Sequence, residues 1–195
     1  MRVKVIALSC ILVSVACSRT PAPSPPELSK QEATDIISTS NAFTSVGDNR
    51  PAGVREPRAH LPMQAVYALG AKGYLECTSD GWLIPTEAGT ALIYWPTGAH
   101  SAGTCTPAAK FGFSDVTFSL NPCPRKLIEV TNVSAQPGVE RTVGFTWTWD
   151  VSAFPSDART IMFGASGEYP SRTAKVKFKL DGNTWSAEFG QNWEQ

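Results

Sequence analysis

The rhythm of apolar and polar positions changes along the chain, and each change predicts a different element. After an apolar run from Val5 to Val13, residues 18–28 (SRTPAPSPPEL) carry four prolines and almost nothing apolar, which predicts an extended tether. Helical spacing then begins. Ala33, Ile36, Ile37 and Phe43 fall largely on one face, and Ser29-Lys30-Gln31-Glu32 forms a capping box, so a helix is predicted over about 29–45. Residues 47–60, rich in Arg, Pro and Gly, read as a polar loop. A second short helix is predicted from Leu61 through Ala65, Val66, Ala68 and Leu69, with Pro62 in its first turn and Gly70 and Gly73 closing it. Tyr74 to Cys77 and Trp82 to Ile84 read as two brief strands around an Asp80-Gly81 turn. Thr86 is then placed to cap a third helix through Glu87, Ala88, Ala91, Leu92 and Tyr94, ended by Pro96 and Gly98.

From Lys110 the spacing becomes twofold. Phe111, Phe113 and Phe118 mark one strand, Leu127 to Thr131 a second and Arg141 to Val151 a third. Lys175 to Leu180 and Thr184 to Phe189 follow, joined through Asp181-Gly182-Asn183. In the 175–180 strand Lys175, Lys177 and Lys179 share one face and Val176, Phe178 and Leu180 the other, so the lysine face is expected in water. The expected class is α+β: a helical region over 29–98, then an antiparallel sheet of about five or six strands within 99–195.

Composition adds a core and removes a partner. With 42% apolar residues, six Trp and nine Phe in 195 residues, a sizeable core is within reach. The 17 basic and 17 acidic residues cancel, so no broad field draws in nucleic acid, and no nucleic-acid partner is expected. Loss of residues 1–16 would remove Arg2 and Lys4 and no acid, leaving 15 basic residues against 17 acidic ones.

Those sixteen residues have the three parts of a signal peptide: a basic start, an apolar run, and small residues at Ser14 and Ala16. The run falls short of the roughly 18 apolar residues that span a bilayer. Ser14-Val15-Ala16-Cys17 resembles the lipobox of bacterial lipoproteins, in which cleavage just before the Cys exposes it for acylation; Ser14 stands where that family prefers a branched apolar residue. The resemblance implies lipid on Cys17 and a membrane contact made through it. Ser18 is not the Asp that the family uses for inner-membrane retention, which implies the outer membrane, facing the periplasm, in a cell with two membranes. An ordinary secretory signal would cut the same Ala16–Cys17 bond and leave a secreted or soluble periplasmic protein. Residues 61–95, a helix, a strand-wing-strand unit and Thr86-Glu87-Ala88-Gly89, are similar to the end of a winged-helix domain. DNA-binding members carry basic recognition helices; this segment offers Lys72 with Asp80 on the wing, so packing or protein contact is the expected use.

Candidate chemistry is sparse. An exported chain is permitted a disulfide, and Cys77, Cys105 and Cys123 allow three pairings, of which Cys105–Cys123 is favoured because Pro-rich flanks place both at the ends of a strand. No Cys-x-x-Cys occurs, and His60 and His100 are not at ligand spacing from each other, so neither metal nor cofactor is expected. No Gly-x-Ser-x-Gly or phosphate-loop pattern is present, no catalytic residue is assigned, and His100 reads as an exposed loop residue. Carboxylate pairs such as Asp150 with Asp157, or Glu168 with Glu188, would make a hydrolytic dyad if the fold joined them. The strongest feature is Phe145-Thr146-Trp147-Thr148-Trp149, which aligns three rings on one sheet face. Phe145, Trp147 and Trp149 serve either as core, the favoured reading, or as a binding platform for sugar or an apolar partner. A non-catalytic envelope protein with a protein or glycan partner is the leading expectation, and an envelope hydrolase the alternative.

Overall fold

A computed structural model describes residues 25–45, 57–95, 103–105, 115–134, 138–190 and 193. The signal region, Cys17, most of the tether, His100, Phe111 and Phe113 lie outside the described residues. The architecture is α+β with antiparallel sheets.

Its largest sheet is a four-stranded meander of β6 (Arg125–Val133), β7 (Glu140–Trp149), β8 (Arg172–Asp181) and β9 (Thr184–Glu188), hydrogen-bonded in that order. Twofold alternation decides which side is dry. Val143, Phe145, Trp147 and Trp149 of β7 lie beside Ala174, Val176 and Phe178 of β8 and Trp185 of β9, all buried. Lys175, Lys177 and Lys179 face water, as the alternation predicts. Gly182, at φ 60°, makes the tight hairpin between Asp181 and its partner Thr184, a left-handed conformation that glycine enters without steric cost.

The dry face is covered by α1 (Lys30–Thr39) and α2 (Asn41–Thr44). The Ser29 hydroxyl accepts the Glu32 N–H at 3.1 Å, which is half of the predicted capping box, and Ala33 and Ile37 are buried. The single helix predicted over 29–45 is in fact two, because Ser40 turns extended (φ −68°, ψ 138°) and caps α2 through Phe43. That break drives Phe43 into the rings, 6.1 Å from Phe145 and 6.5 Å from Trp147, edge to face.

A second layer holds β1 (Arg58–Pro62), α3 (Met63–Ala71), β2 (Leu75–Cys77), β3 (Trp82–Pro85), β4 (Gly103–Thr104) and β5 (Asp115–Ser119). The predicted loop over 47–60 gives way to a strand at its end: Ala59 and Leu61 turn inward, and β1 pairs antiparallel with β5. Since β5 is taken by β1, the main sheet has four strands among the described residues, against an expectation of five or six. The predicted third helix shrinks to a 3-10 turn, Gly89–Ala91. The Thr86 hydroxyl accepts the Gly89 N–H at 3.1 Å, although the N-cap position of this turn is Ala88, and Gly89 lies so close to the residue before β2 that a Cβ there would sit 1.9 Å from the Tyr74 carbonyl oxygen. One further helix, α4 (Ser156–Phe163), was not anticipated. The regions 29–98 and 99–195 therefore interleave, with β1 on β5 and α1 on β6, and their buried side chains form one continuous core.

Candidate functional site

The disulfide joins Cys77 to Cys105, with Cα atoms 5.8 Å apart, and this corrects the expected Cys105–Cys123 pairing. Strand order is the reason. β2 and β4 flank β3, and the Cys105 N–H donates to the Gly81 carbonyl at 2.7 Å, so the turn at Asp80-Gly81 brings the end of β2 to the residue after β4. Cys123 is buried between β5 and β6 and takes no part in that bond.

The aromatic row is core. Trp147 is 0% exposed, with Phe145 and Trp149 scarcely more, so the three rings offer no platform to a ligand. Trp193 is drawn in as well, its ring 5.8 Å from Phe145 and 5.5 Å from Trp147. Within this cluster the sequence reading missed Arg125. Twofold alternation from Leu127 places it on the dry face opposite Trp149, and it is only 6% exposed. Its guanidinium carbon lies 4.6 Å from the Trp149 ring and 5.4 Å from Trp193, while Nη1 donates to the Phe43 and Ser45 carbonyls at 2.9 and 3.0 Å. A cation in this place ties the end of α2 to the rings.

Where β7 leaves the sheet, a groove of about 340 Å³ opens between the start of β6, α4 and the segment before β8. Asp150 starts it: its N–H donates to the Pro124 carbonyl at 2.7 Å, and its carboxylate accepts the Ser152 N–H at 3.0 Å. The Ser152 hydroxyl and N–H hold this carboxyl below the usual carboxylate range against partial desolvation, with the charges of Lys126 and Arg159 assisting. Opposite, the Thr148 hydroxyl donates to the Tyr169 carbonyl at 2.7 Å and fixes the far wall. Ile128 sits at a register shift in β6 and is 50% exposed, giving the groove an apolar lip. Lys126 and Arg159 balance Asp150 and Glu168 around it. Two of its lining residues also carry buried N–H groups, Trp149 Nε1 and Arg159 Nε, that have no hydrogen-bond partner among the described residues.

The supposed carboxylate pairs are redistributed. Asp150 and Glu168 share the groove, whereas Asp157 is turned to Tyr74, whose hydroxyl donates to it at 2.8 Å, with Lys72 3.8 Å away. That hydrogen bond is the main reason the Asp157 carboxyl lies below its ordinary range and the Tyr74 phenol above its own. Glu188 stands on β9, opposite Lys177. His60 lies on β1, its Nδ1 2.9 Å from the Thr117 hydroxyl. No group of three or more His, Cys, Asp or Glu side chains is placed to hold a metal among the described residues.

Set beside protein-family models, curated proteins and solved structures, the chain matches none, so its function has to be argued from its own residues.

Proposed function

We propose that this protein is lipid-anchored in a bacterial cell envelope through Cys17 and works there as a non-catalytic binding module for a protein or glycan partner. The observation that carries the binding reading is the groove beside Asp150, where balanced charge surrounds an apolar lip. Such a site favours a ligand without net charge that offers both apolar and polar surface, as a peptide segment or a sugar does. Against the hydrolase alternative, neither expected carboxylate pair is brought together: Asp150 lines the groove while Asp157 is engaged by Tyr74, and Glu168 lines the groove while Glu188 stands on β9 opposite Lys177. The address rests on the apolar run, Ser14-Val15-Ala16-Cys17 and the proline tether. The Cys77–Cys105 bond supports an oxidising compartment on the same route.

Residues 61–95 we read as a winged-helix-like unit used for packing. Supporting this are α3, β2, the Asp80-Gly81 wing and β3 in that order, followed by the Thr86 turn.

Labelled palmitate fed to cells is expected to enter the parent chain and not Cys17→Ala; equal labelling of both would end the lipoprotein reading. Photo-crosslinking from position 128 in intact cells is expected to trap a partner, and Arg159→Ala to weaken the trapping. Capture unaltered by Arg159→Ala would remove the groove from the account.

A further inference from the structure

Tyr169 borders a second concavity, of about 230 Å³, between β1, the end of α4 and the start of β8. Its walls differ in charge from those of the groove. Arg58, His60 and Arg172 line it with no carboxylate among the described residues there, while Met162 and Phe163 supply apolar surface.

One hydroxyl meets the backbone of Arg58 and the side chain of Arg172. Tyr169 Oη donates to the Arg58 carbonyl at 2.8 Å, and accepts the Arg58 N–H at 3.3 Å and Arg172 Nη2 at 3.4 Å. The Arg172 guanidinium carbon also lies 5.8 Å from the Tyr169 ring centroid and 5.9 Å from that of Trp147, so its plane is held against rings. The ion pair found among the described residues is Lys72 with Asp157, which leaves Arg58 and Arg172 without a carboxylate there. The Arg172 guanidinium held in this way, beside the exposed side chain of Arg58 and over apolar surface, makes an oxyanion site, because the forked N–H groups of arginine match a tetrahedral anion.

We propose that this concavity binds a phosphate group. Its volume lies below the roughly 300–1,000 Å³ of a pocket that encloses a whole small-molecule ligand, so it takes the charged end of a ligand whose remainder stays outside. The phosphate is either free in solution or the headgroup of an anionic lipid. The site adjoins the groove at Tyr169 but draws on Arg58 and Arg172, which the groove does not use, so it does not depend on what that groove binds.

The full-length protein is titrated calorimetrically with inorganic phosphate. In a second arm, its partition into phosphatidylglycerol vesicles is compared with that into phosphatidylcholine vesicles, to which any acyl anchor contributes alike. Saturable uptake of phosphate assigns the soluble source, and preference for the anionic vesicles alone assigns the headgroup. In whichever arm binds, Arg58→Gln and Arg172→Gln are each expected to weaken binding about tenfold or more, and Lys175→Gln, an equal charge change on the exposed face of β8, to leave it unchanged. Arg58 is exposed, so Arg58→Gln decides the matter even if Arg172→Gln fails to fold. No binding in either arm, retention of binding in Arg58→Gln, or an equal loss in Lys175→Gln would overturn the proposal.

Discussion

Serine at both Cys77 and Cys105 removes the cross-link while adding little volume change. The bond spans 28 residues, and constraining the unfolded chain over that length is worth about 3.5 kcal/mol on the loop-entropy relation. The native side points the same way. β4 is two residues long and pairs with β3 only through Trp82 with Thr104 and Leu83 with Gly103, too short a ladder to stay docked unaided. In a domain of this size each kcal/mol lowers the melting temperature by about 2–4 °C, so the double variant should melt about 10 °C below the parent. Circular dichroism melts under non-reducing conditions measure this, and added reductant should lower the parent toward the variant while leaving the variant unmoved. Amide exchange should quicken first at Trp82–Pro85, where β4 would peel away. A double variant that melts with the parent, or a non-reduced digest yielding Cys105 joined to Cys123, would refute the reasoning.

Gly89→Ala should cost about 3 kcal/mol, the upper end for overpacking, because the new methyl meets the Tyr74 carbonyl at 1.9 Å; a urea midpoint equal to the parent's would contradict the close approach. Trp147→Ala should cost about 3–5 kcal/mol as a buried-ring deletion, whereas a platform residue would lose ligand binding at unchanged stability. The Tyr74–Asp157 hydrogen bond should respond to pH at both ends. Asp157 is depressed, so its contribution is present above the ordinary carboxylate range and lost as pH falls through its folded value. Tyr74 is raised, so its contribution is present below the ordinary phenol range and lost as pH rises through its folded value. The stability gap between the parent and Tyr74→Phe should therefore be level from about pH 5 to 9 and narrow outside that window; a gap unchanged down to about pH 3 would exclude the coupling.

The parts legible in advance were those with local rules. The alternation of β7 and β8, the Asp-Gly turns and the Ser29 cap each depend on residues a few positions apart. β1 escaped notice because its five residues carry two exposed charge-bearing side chains and a proline, and its partner β5 lies more than fifty residues on. Only Ala158 of α4 is buried, too faint a stripe for helical periodicity to register. The groove unites Lys126, Asp150, Arg159 and Glu168 from four separate segments, an assembly no spacing rule encodes. Arg125 was readable in principle, since alternation put a charge among rings and so demanded partners for it.

The interleaving of β1 with β5 bears on how the protein tolerates being cut. A chain ending at residue 98 would strand β1 without its ladder and α1 without a sheet beneath it; one starting at 99 would leave Phe145, Trp147 and Phe178 bare on one side. Each fragment alone should be insoluble. Mixed, the two should rescue each other, in the way of a single folding unit severed and not of two modules parted.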